Sequence, residues 1–323
     1  MGGSSLSDES YSRPRAVNGE LGIPHGNAIC YSGYRDGQNP FDGSYPSPQE
    51  IREDLLILAK NWKYLRVYDS GRHAEMVLET IQKESLDFQV LLGMGTSAEM
   101  SNPDCPWGAD YGEDMLAENR KRNDSEATKA IALCERYGDL VCGVSVGNEA
   151  TVDWTDHLVP VERLIEFSQR IRSATGQKTT FCENYVPWTN KLQDLAAELD
   201  FLSVHSYPVW EYTSIDEALE YTRQNYHAVA SLYPDKPVVI TEAGWATASN
   251  GRGIEPANAS EELQAGYYRQ LHQWTTEAQI LCFVFEAFDE PWKGSPDPLE
   301  PEKHWGLFKV DRTPKLVMQE LYA

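Results

Sequence analysis

Short apolar runs alternate along the chain with longer segments in which apolar residues recur every three or four positions. The longer segments have the period of amphipathic helices, and the β-branched runs between them have the character of buried strands. Repeated strand and helix units of this kind predict an α/β protein with a parallel sheet. We predict eight strands, at residues 28–31, 64–68, 88–92, 141–146, 179–182, 201–206, 237–241 and 281–285.

The helix after the first predicted strand has a clear start signal. Ser47 can cap a helix, Pro48 fits its first turn, and Glu50 stands where a capping box needs a carboxylate. Ser214 and Glu217 repeat this spacing before another amphipathic segment, so we expect a second capping box there. Both signals place helices directly between predicted strands.

The βα units follow one another without a linker rich in Pro, Gly or Ser, which favours a single closed (β/α)8 TIM barrel over an open sheet. In such barrels the active residues lie at the C-terminal ends of the strands. The polar, Pro-rich residues 96–110 are therefore expected to form a loop at the rim of the catalytic face. We expect residues 1–20 to be an expression-tag remnant and flexible N-terminal segment, and residues 21–323 to form the catalytic barrel.

The chain is strongly acidic, with 50 Asp and Glu against 28 Lys and Arg and a formal net charge of −22. No basic patch offsets this charge, so nucleic acid is not expected as a partner and a neutral substrate is favoured. No run of residues approaches the roughly 18 apolar positions that a membrane span requires. The six cysteines lack the spacing of metal or redox motifs and are expected to be buried free thiols.

Two glutamates stand at the ends of strongly apolar predicted strands. Glu149 follows the fourth strand, and Glu242 follows the seventh. Burying a carboxylate there is unfavourable unless it is partnered or functional. Two such groups at strand ends of one barrel suit glycoside hydrolysis, in which one carboxylic acid protonates the leaving oxygen and the other attacks or stabilises the anomeric carbon.

Four motifs together resemble a known family. They are residues 147–149 (GNE), 241–245 (TEAGW), 288–293 (FDEPWK) and 302–308 (EKHWGLF). In this order and spacing they resemble glycoside hydrolase family 17, which comprises retaining β-1,3-glucanases on (β/α)8 barrels, and they look closer to its bacterial and fungal branches. The resemblance implies that Glu149 is the acid/base and Glu242 the nucleophile of a double displacement on laminarin-type β-1,3-glucan, with endo action expected.

The resemblance also implies contacts with the substrate around these carboxylates. Asn148 would bind the sugar 2-hydroxyl, Tyr207 would hydrogen-bond the nucleophile, and Glu290 and Lys293 would follow the eighth strand. Aromatic side chains add flat apolar faces on which pyranose rings can stack. The predicted substrate-binding residues are Asn148, Tyr34, Tyr207, Trp245, Glu290, Trp292, Lys293 and Trp305, with Arg66, Tyr68 and Glu286 in supporting roles. No metal and no other cofactor is implied.

Other functions stay open at this point. The same family contains β-1,3-glucanosyltransferases, and no residue separates transfer from hydrolysis. Residues 143–147 (GVSVG) match a serine-hydrolase elbow around Ser145, with Asp289 and His304 following, although the β-branched run continues where that motif needs a sharp turn. A non-catalytic glucan-binding protein is a third alternative. His205 and His304 are expected to bind sugar or to support the motifs.

The expected partners are β-1,3-glucan polysaccharide and its oligosaccharides, bound by a monomer without a membrane span. A polymeric substrate argues for a protein that acts outside the cytoplasm, whereas unpaired cysteines argue for a reducing compartment. We predict a secreted or periplasmic protein.

Overall fold

Eight parallel strands close into a barrel in the computed structural model, which describes residue 23 and residues 25–321. Each strand pairs with the next along the chain, and the first pairs with the eighth. The predicted (β/α)8 barrel is therefore confirmed, whereas the prediction for residues 1–20 lies outside the described residues. The strands are β1 Ala28–Cys30, β2 Tyr64–Arg66, β3 Gln89–Gly93, β4 Val141–Asn148, β5 Thr179–Asn184, β6 Leu202–Ser206, β7 Val238–Gly244 and β8 Cys282–Phe285.

Helices surround the barrel and bury one apolar face each against it. In the first of them, Ile51, Leu55 and Leu58 are fully buried, as their spacing predicts. Apart from 3-10 turns, the described helices are α1 Pro48–Leu58, α2 Arg72–Glu84, α3 Glu113–Tyr137, α4 Val161–Thr175, α5 Tyr185–Asn190, α6 Gln193–Glu198, α7 Ile215–Leu232, α8 Glu261–Glu277 and α9 Leu316–Leu321.

The two predicted capping boxes differ in the structure. At α1 the Ser47 side chain accepts from the Glu50 backbone amide, and the Glu50 carboxylate accepts from the Ser47 amide at 2.7 Å, so this box is complete. At α7 the Ser214 hydroxyl donates to the Glu217 carboxylate at 2.9 Å instead of accepting from the backbone. The second box is therefore wrong, although Ser214 does precede the helix.

One glycine in β7 allows two strands to approach closely at the catalytic end. A Cβ atom at Gly244 would lie 2.5 Å from the Phe285 carbonyl oxygen and 3.1 Å from the Trp305 ring. Both distances are shorter than van der Waals contact, so a larger residue would push β8 away from β7. Gly244 thus fixes the spacing of two strands that carry active-site residues.

Loops at the C-terminal ends of the strands build the catalytic face. Residues 94–112, after β3, contain no helix or strand, as predicted for residues 96–110.

All six cysteines are free; five are buried and Cys142 is partly exposed, which confirms free thiols. Within the described part of the chain, no helix combines the length and apolar character that a membrane crossing requires.

Candidate active site

The two predicted catalytic carboxylates lie next to each other at the top of the barrel. Glu242 belongs to β7, and Glu149 follows the last residue of β4. One carboxylate oxygen of each residue lies within 4.8 Å of the other. Retaining glycosidases place their carboxyl groups about 5 to 5.5 Å apart, and inverting enzymes need roughly 6.5 to 9.5 Å to admit a water molecule. The pair therefore has the short separation of the retaining geometry.

Glu242 is buried and fully satisfied by hydrogen-bond donors. The Arg66 Nη1 donates to its Oε1 atom at 2.5 Å, and the Tyr68 hydroxyl donates to the same oxygen at 3.0 Å. The Tyr207 hydroxyl donates to Oε2. Burial alone would raise the pKa of Glu242, but the charges of His205 and Arg66 and these hydrogen bonds outweigh it and lower the pKa to about 2. Glu242 is thus a carboxylate throughout the physiological pH range.

Arg66 connects three strands beneath the site. This guanidinium is 2% exposed, and besides Glu242 it contacts the Thr241 carbonyl oxygen at 3.0 Å. Its Nη2 also donates to the Asn148 side-chain oxygen. A buried guanidinium needs such partners, since an unpaired buried charge is strongly unfavourable. The predicted supporting position of Arg66 agrees with this geometry, as does that of Tyr68.

His205 lies between the two carboxylates. Its Nδ1 atom is 2.8 Å from Glu149 Oε1 and 3.4 Å from Glu242 Oε2, and the ring is fully buried. Burial disfavours the charged imidazole, but the two carboxylates and a hydrogen bond with Cys182 raise the pKa of His205 to about 10. A protonated His205 therefore bridges both groups, a more central position than its sequence indicated. The signal available was the spacing of His205, in β6, and Tyr207, directly after it, because residues two apart along an extended chain share a face.

The same three side chains are a candidate cation site in the described residues, since Glu149, His205 and Glu242 each offer a ligand atom within a 4.8 Å cluster. The guanidinium of Arg66 already forms an ion pair with one oxygen of Glu242, and His205 is protonated. A metal ion would have to displace both interactions. The donor set thus fits a proton-transfer site better than a metal site.

Glu149, directly after β4, has an unusual backbone conformation. Its φ angle is +45°, in the left-handed region that is unfavourable for residues with a Cβ atom. The Glu149 amide donates to the Cys182 carbonyl oxygen at 2.9 Å, and His157 Nε2 contacts the carbonyl oxygen of Asn148 at 2.8 Å. The Glu149 side chain is 27% exposed, so a ligand can reach it from the top of the barrel.

Two buried carboxylates and a lysine that is 17% exposed follow β8. Lys293 Nζ lies 2.8 Å from Glu286 and 2.5 Å from Glu290, which also accepts from Ser32 and, at 3.1 Å, from Trp292 Nε1. Burial raises the pKa of Glu286, and the nearby Glu290 carboxylate adds to this, whereas Lys293 opposes it. Burial lowers the pKa of Lys293, but the attraction of the two carboxylates is the larger effect and raises it. Glu286 and Glu290 are 2% and 1% exposed, whereas Lys293 is 17% exposed, so Lys293 is the member of this cluster that a ligand hydroxyl group can reach.

The predicted aromatic contacts divide into two groups. Trp292 is partly exposed beside this cluster, whereas Tyr34, whose ring centroid is 6.1 Å from that of Trp292, is 3% exposed and stacks on His73. Trp245 is fully buried, its Nε1 donates to the Asn258 carbonyl oxygen, and its ring packs on a helix-α8 tyrosine. Trp305 is 1% exposed and packs against Tyr207 at 5.2 Å. The prediction that Tyr34, Trp245 and Trp305 present ring faces to sugar is therefore wrong, because all three rings are buried behind the site.

The serine-hydrolase alternative fails on geometry. Ser145 lies inside β4, is 3% exposed, and donates to the Gly147 carbonyl oxygen at 2.6 Å, so no elbow exposes it. Asp289 pairs with Lys315 at 2.7 Å, and His304 Nε2 contacts the Pro298 carbonyl oxygen. These residues do not form a triad.

A closed parallel barrel with two carboxylates this close at its strand ends defines a glycoside hydrolase. Comparison with protein families agrees with this class. The chain belongs to the family described as the BtgE/BtgC glycoside hydrolase domain, whose family model matches residues 28–306.

Relatives and solved structures extend the comparison. A glucan 1,3-beta-glucosidase from Arthroderma benhamiae is 23% identical over 88% of this chain and 88% of its own length. The chain spans only 40% and 46% of two other relatives, from Aspergillus niger and Neosartorya fischeri. The crystal structure of an endo-laminarinase from Formosa Hel1_33_131 matches 92% of this chain and 86% of its own with a TM-score of 0.78 and 28% identity. An active-site mutant of Rhizomucor miehei beta-1,3-glucanosyltransferase with laminaritriose shares the fold at a TM-score of 0.70 and 23% identity, over 90% and 96% of the two chains.

Proposed function

We propose that this protein is a family 17 glycoside hydrolase that cleaves β-1,3-glucan internally, with retention of anomeric configuration. The observation that carries the proposal is the pair of carboxylates within 4.8 Å, one ionised and buried, the other exposed to ligand. The names of the similar glucosidase and endo-laminarinase support the substrate. We further propose that the enzyme acts as a monomer outside the cytoplasm, where a polymeric substrate is accessible.

The mechanism has two displacements. Glu242 attacks the anomeric carbon and forms a glycosyl-enzyme ester, while Glu149 gives its proton to the departing glycosidic oxygen. Glu149 then removes a proton from water, whose oxygen attacks the same carbon and releases Glu242 as a carboxylate. Each step inverts the anomeric centre, so the product keeps the original configuration.

The groups around Glu242 keep this nucleophile ionised and oriented. Arg66 and Tyr68 hold Oε1, and Tyr207 holds Oε2 together with the charge of His205. A carboxylate held by several donors is a weaker base, which favours attack on carbon over uptake of a proton. His205 also fixes the side chain of Glu149 relative to Glu242.

Recognition of the sugar uses polar side chains around the two catalytic carboxylates. Arg66 occupies the Asn148 side-chain oxygen, which leaves the Asn148 amide nitrogen to donate to the 2-hydroxyl group. Glu286 and Glu290 hold Lys293 by ion pairs, and the partly exposed ammonium group of Lys293 donates to a further hydroxyl group. Trp292, which is partly exposed, supplies a ring face beside them, and the buried Tyr34 packs against it.

The test is product analysis on laminarin and on short β-1,3-gluco-oligosaccharides, with the wild type beside Glu149→Gln and Glu242→Gln. Glu277→Gln, exposed at the end of α8, is the matched control. We expect shorter oligosaccharides from the wild type and the control, a β-anomer first in the proton NMR spectrum, and a loss of about four orders of magnitude or more in both active-site variants.

Three results would redirect the proposal. An initial α-anomer would exclude retention. Products longer than the starting oligosaccharide would make the enzyme a glucanosyltransferase. Binding of laminarin without any new reducing ends would make it a glucan-binding protein.

A further inference from the structure

Two tryptophans on the catalytic face are unusually exposed. Trp107, in the loop after β3, is 60% exposed, and Trp154, in the loop after β4, is 39% exposed. Large aromatic side chains are normally buried, because exposing their apolar surface to water is unfavourable. Neither residue belongs to the Glu242 site or to the Glu286 cluster, so the proposed catalytic groups do not account for them.

Both tryptophans stand in tight, hydrogen-bonded turns. The Gly108 amide donates to the Cys105 carbonyl oxygen at 3.1 Å, which closes a turn around Trp107. The Thr155 amide donates to the Val152 carbonyl oxygen at 3.1 Å, which closes a second turn around Trp154. Their positions are therefore fixed by backbone structure.

Side chains of the first loop fasten it to the second. The Asn102 amide nitrogen donates to the carbonyl oxygens of Asp153 and Thr155 at 2.9 and 2.8 Å. The Cys105 thiol donates to the carbonyl oxygen of Trp154 at 3.3 Å. These bonds join the turn that carries Trp107 to the turn that carries Trp154, so the two turns form one hydrogen-bonded unit.

The second loop begins and ends beside the proposed acid/base. Ala150, directly after Glu149, accepts from the Val159 amide at 2.9 Å, so the loop closes on itself at this point. His157 Nε2 lies 2.8 Å from the carbonyl oxygen of Asn148. Trp154 is thus carried by a loop that folds back onto the residue preceding Glu149.

The position of the two loops relative to Glu149 indicates which part of the glucan chain they can contact. Glu149 protonates the departing oxygen, so the leaving part of the glucan chain must pass on the Glu149 side. Trp292 and Lys293, both partly exposed, follow β8, and β8 is opposite β4 in the closed barrel. The glycone would therefore occupy the β8 side and the leaving sugars the β4 side.

We infer that Trp107 and Trp154 form a platform on which glucose rings of the leaving part of a β-1,3-glucan chain stack. This inference rests on the proposed function. Pyranose rings present an apolar face that matches an indole, and the uncharged ligand avoids the repulsion that this acidic protein would exert on an anionic polymer. The platform favours chains that extend beyond the cleaved bond, which is the requirement for internal cleavage.

The experiment compares kcat/KM for a β-1,3-linked glucose hexasaccharide with kcat/KM for p-nitrophenyl β-laminaribioside, whose leaving group is a single aryl ring. The variants are Trp107→Ala, Trp154→Ala, their combination and Trp154→Phe. Leu232→Ala, at the end of α7 and 48% exposed, is the control for loss of a large exposed side chain. Melting temperatures accompany each measurement.

The expected result is a ratio of hexasaccharide to aryl substrate that falls about tenfold in the double variant, stays at the wild-type value in Leu232→Ala, and is largely restored in Trp154→Phe. An unchanged ratio in the double variant would overturn the platform while leaving the proposed function intact. Parallel losses on both substrates would also overturn it, because that is the effect of a structural role. If the wild type cleaves neither substrate, the proposed function fails and the platform with it.

Discussion

Replacement of His205 by Gln removes a positive charge that contacts both active-site carboxylates. In the wild type, the ring is 2.8 Å from Glu149 and 3.4 Å from Glu242, and its pKa of about 10 keeps it protonated at neutral pH. Gln fills a similar volume and can still donate one hydrogen bond. The substitution therefore tests the charge more than the shape of the residue.

The expected size of the effect of His205→Gln follows from the pKa of Glu242, which is lowered from 4.5 to about 2 in the wild type. This difference corresponds to about 3 kcal/mol in favour of the carboxylate. His205 makes the largest favourable contribution, followed by Arg66, against the opposing effect of burial. Without His205 we expect the pKa of Glu242 to rise by about one to two pH units.

The assay is kcat/KM for an aryl β-laminaribioside across the acidic range, because the acidic limb of this profile reports the group that must be ionised in the free enzyme. Glu242 must be ionised to attack, so a raised pKa moves the loss of activity to higher pH. We expect the wild type to keep its activity to about pH 3 and His205→Gln to lose half near about pH 4. His227→Gln, on outer helix α7, is the control, and circular dichroism checks the fold at each pH.

An acidic limb at the same pH in His205→Gln and the wild type would refute the reasoning. A second measurement covers the case in which the variant does not fold. In the wild-type protein the imidazole signals of His205 should titrate near about pH 10, far above the ordinary value for His. Titration near the ordinary value would show that the ring is not the bridging cation described here.

Two further predictions concern buried charge. Lys293→Met leaves Glu286 and Glu290 without their shared cation, and we expect the free energy of unfolding in urea to fall by about 3 to 5 kcal/mol, against about 1 kcal/mol or less for the half-exposed Lys309→Met. Equal losses of unfolding free energy in Lys293→Met and Lys309→Met would contradict this prediction. Burial and the charge of Glu149 raise the pKa of Glu183 to about 7, so the folded state binds a proton that the unfolded state has released, and stability falls as pH rises from the ordinary Glu value through 7. Glu183→Gln should remove about 3 kcal/mol of this pH dependence in urea unfolding, and identical slopes in both proteins would refute it.

The barrel could be predicted because its strands are β-branched and its helices amphipathic, and all eight predicted strands overlap observed ones. The ends of two catalytic strands were less predictable. β4 continues to Asn148 and β7 to Gly244, past the predicted ends at 146 and 241. Asn, Glu and Gly normally indicate a strand end, but here Arg66 and the neighbouring strands satisfy their polar groups.

For the site, the sequence indicated which strand ends meet, but not always whether a side chain there points into the barrel or towards the helices. Glu149 and Glu242 were predictable, since both follow apolar strands whose ends converge. Trp245 directly follows β7, three residues after Glu242, so continuing the strand alternation by one residue places it on the opposite face, towards the helices, where the structure has it buried. Applying the same alternation to His205 and Tyr207 would have placed the histidine with the nucleophile. The hydrogen bonds between the β3 and β4 loops have no signal in the sequence, because they join residues about 50 positions apart.

The fastening of the β3 loop to the β4 loop has a consequence for engineering. Asn102 and Cys105 hold backbone atoms of residues 153–155, so replacing either loop alone would leave donors or acceptors of the other without partners. Recombination between relatives should therefore exchange residues 94–112 and 150–160 together. Glu242 lies on β7 and Glu149 directly precedes residue 150, so neither is exchanged in such a graft, which makes the paired loops a natural unit for altering chain-length preference.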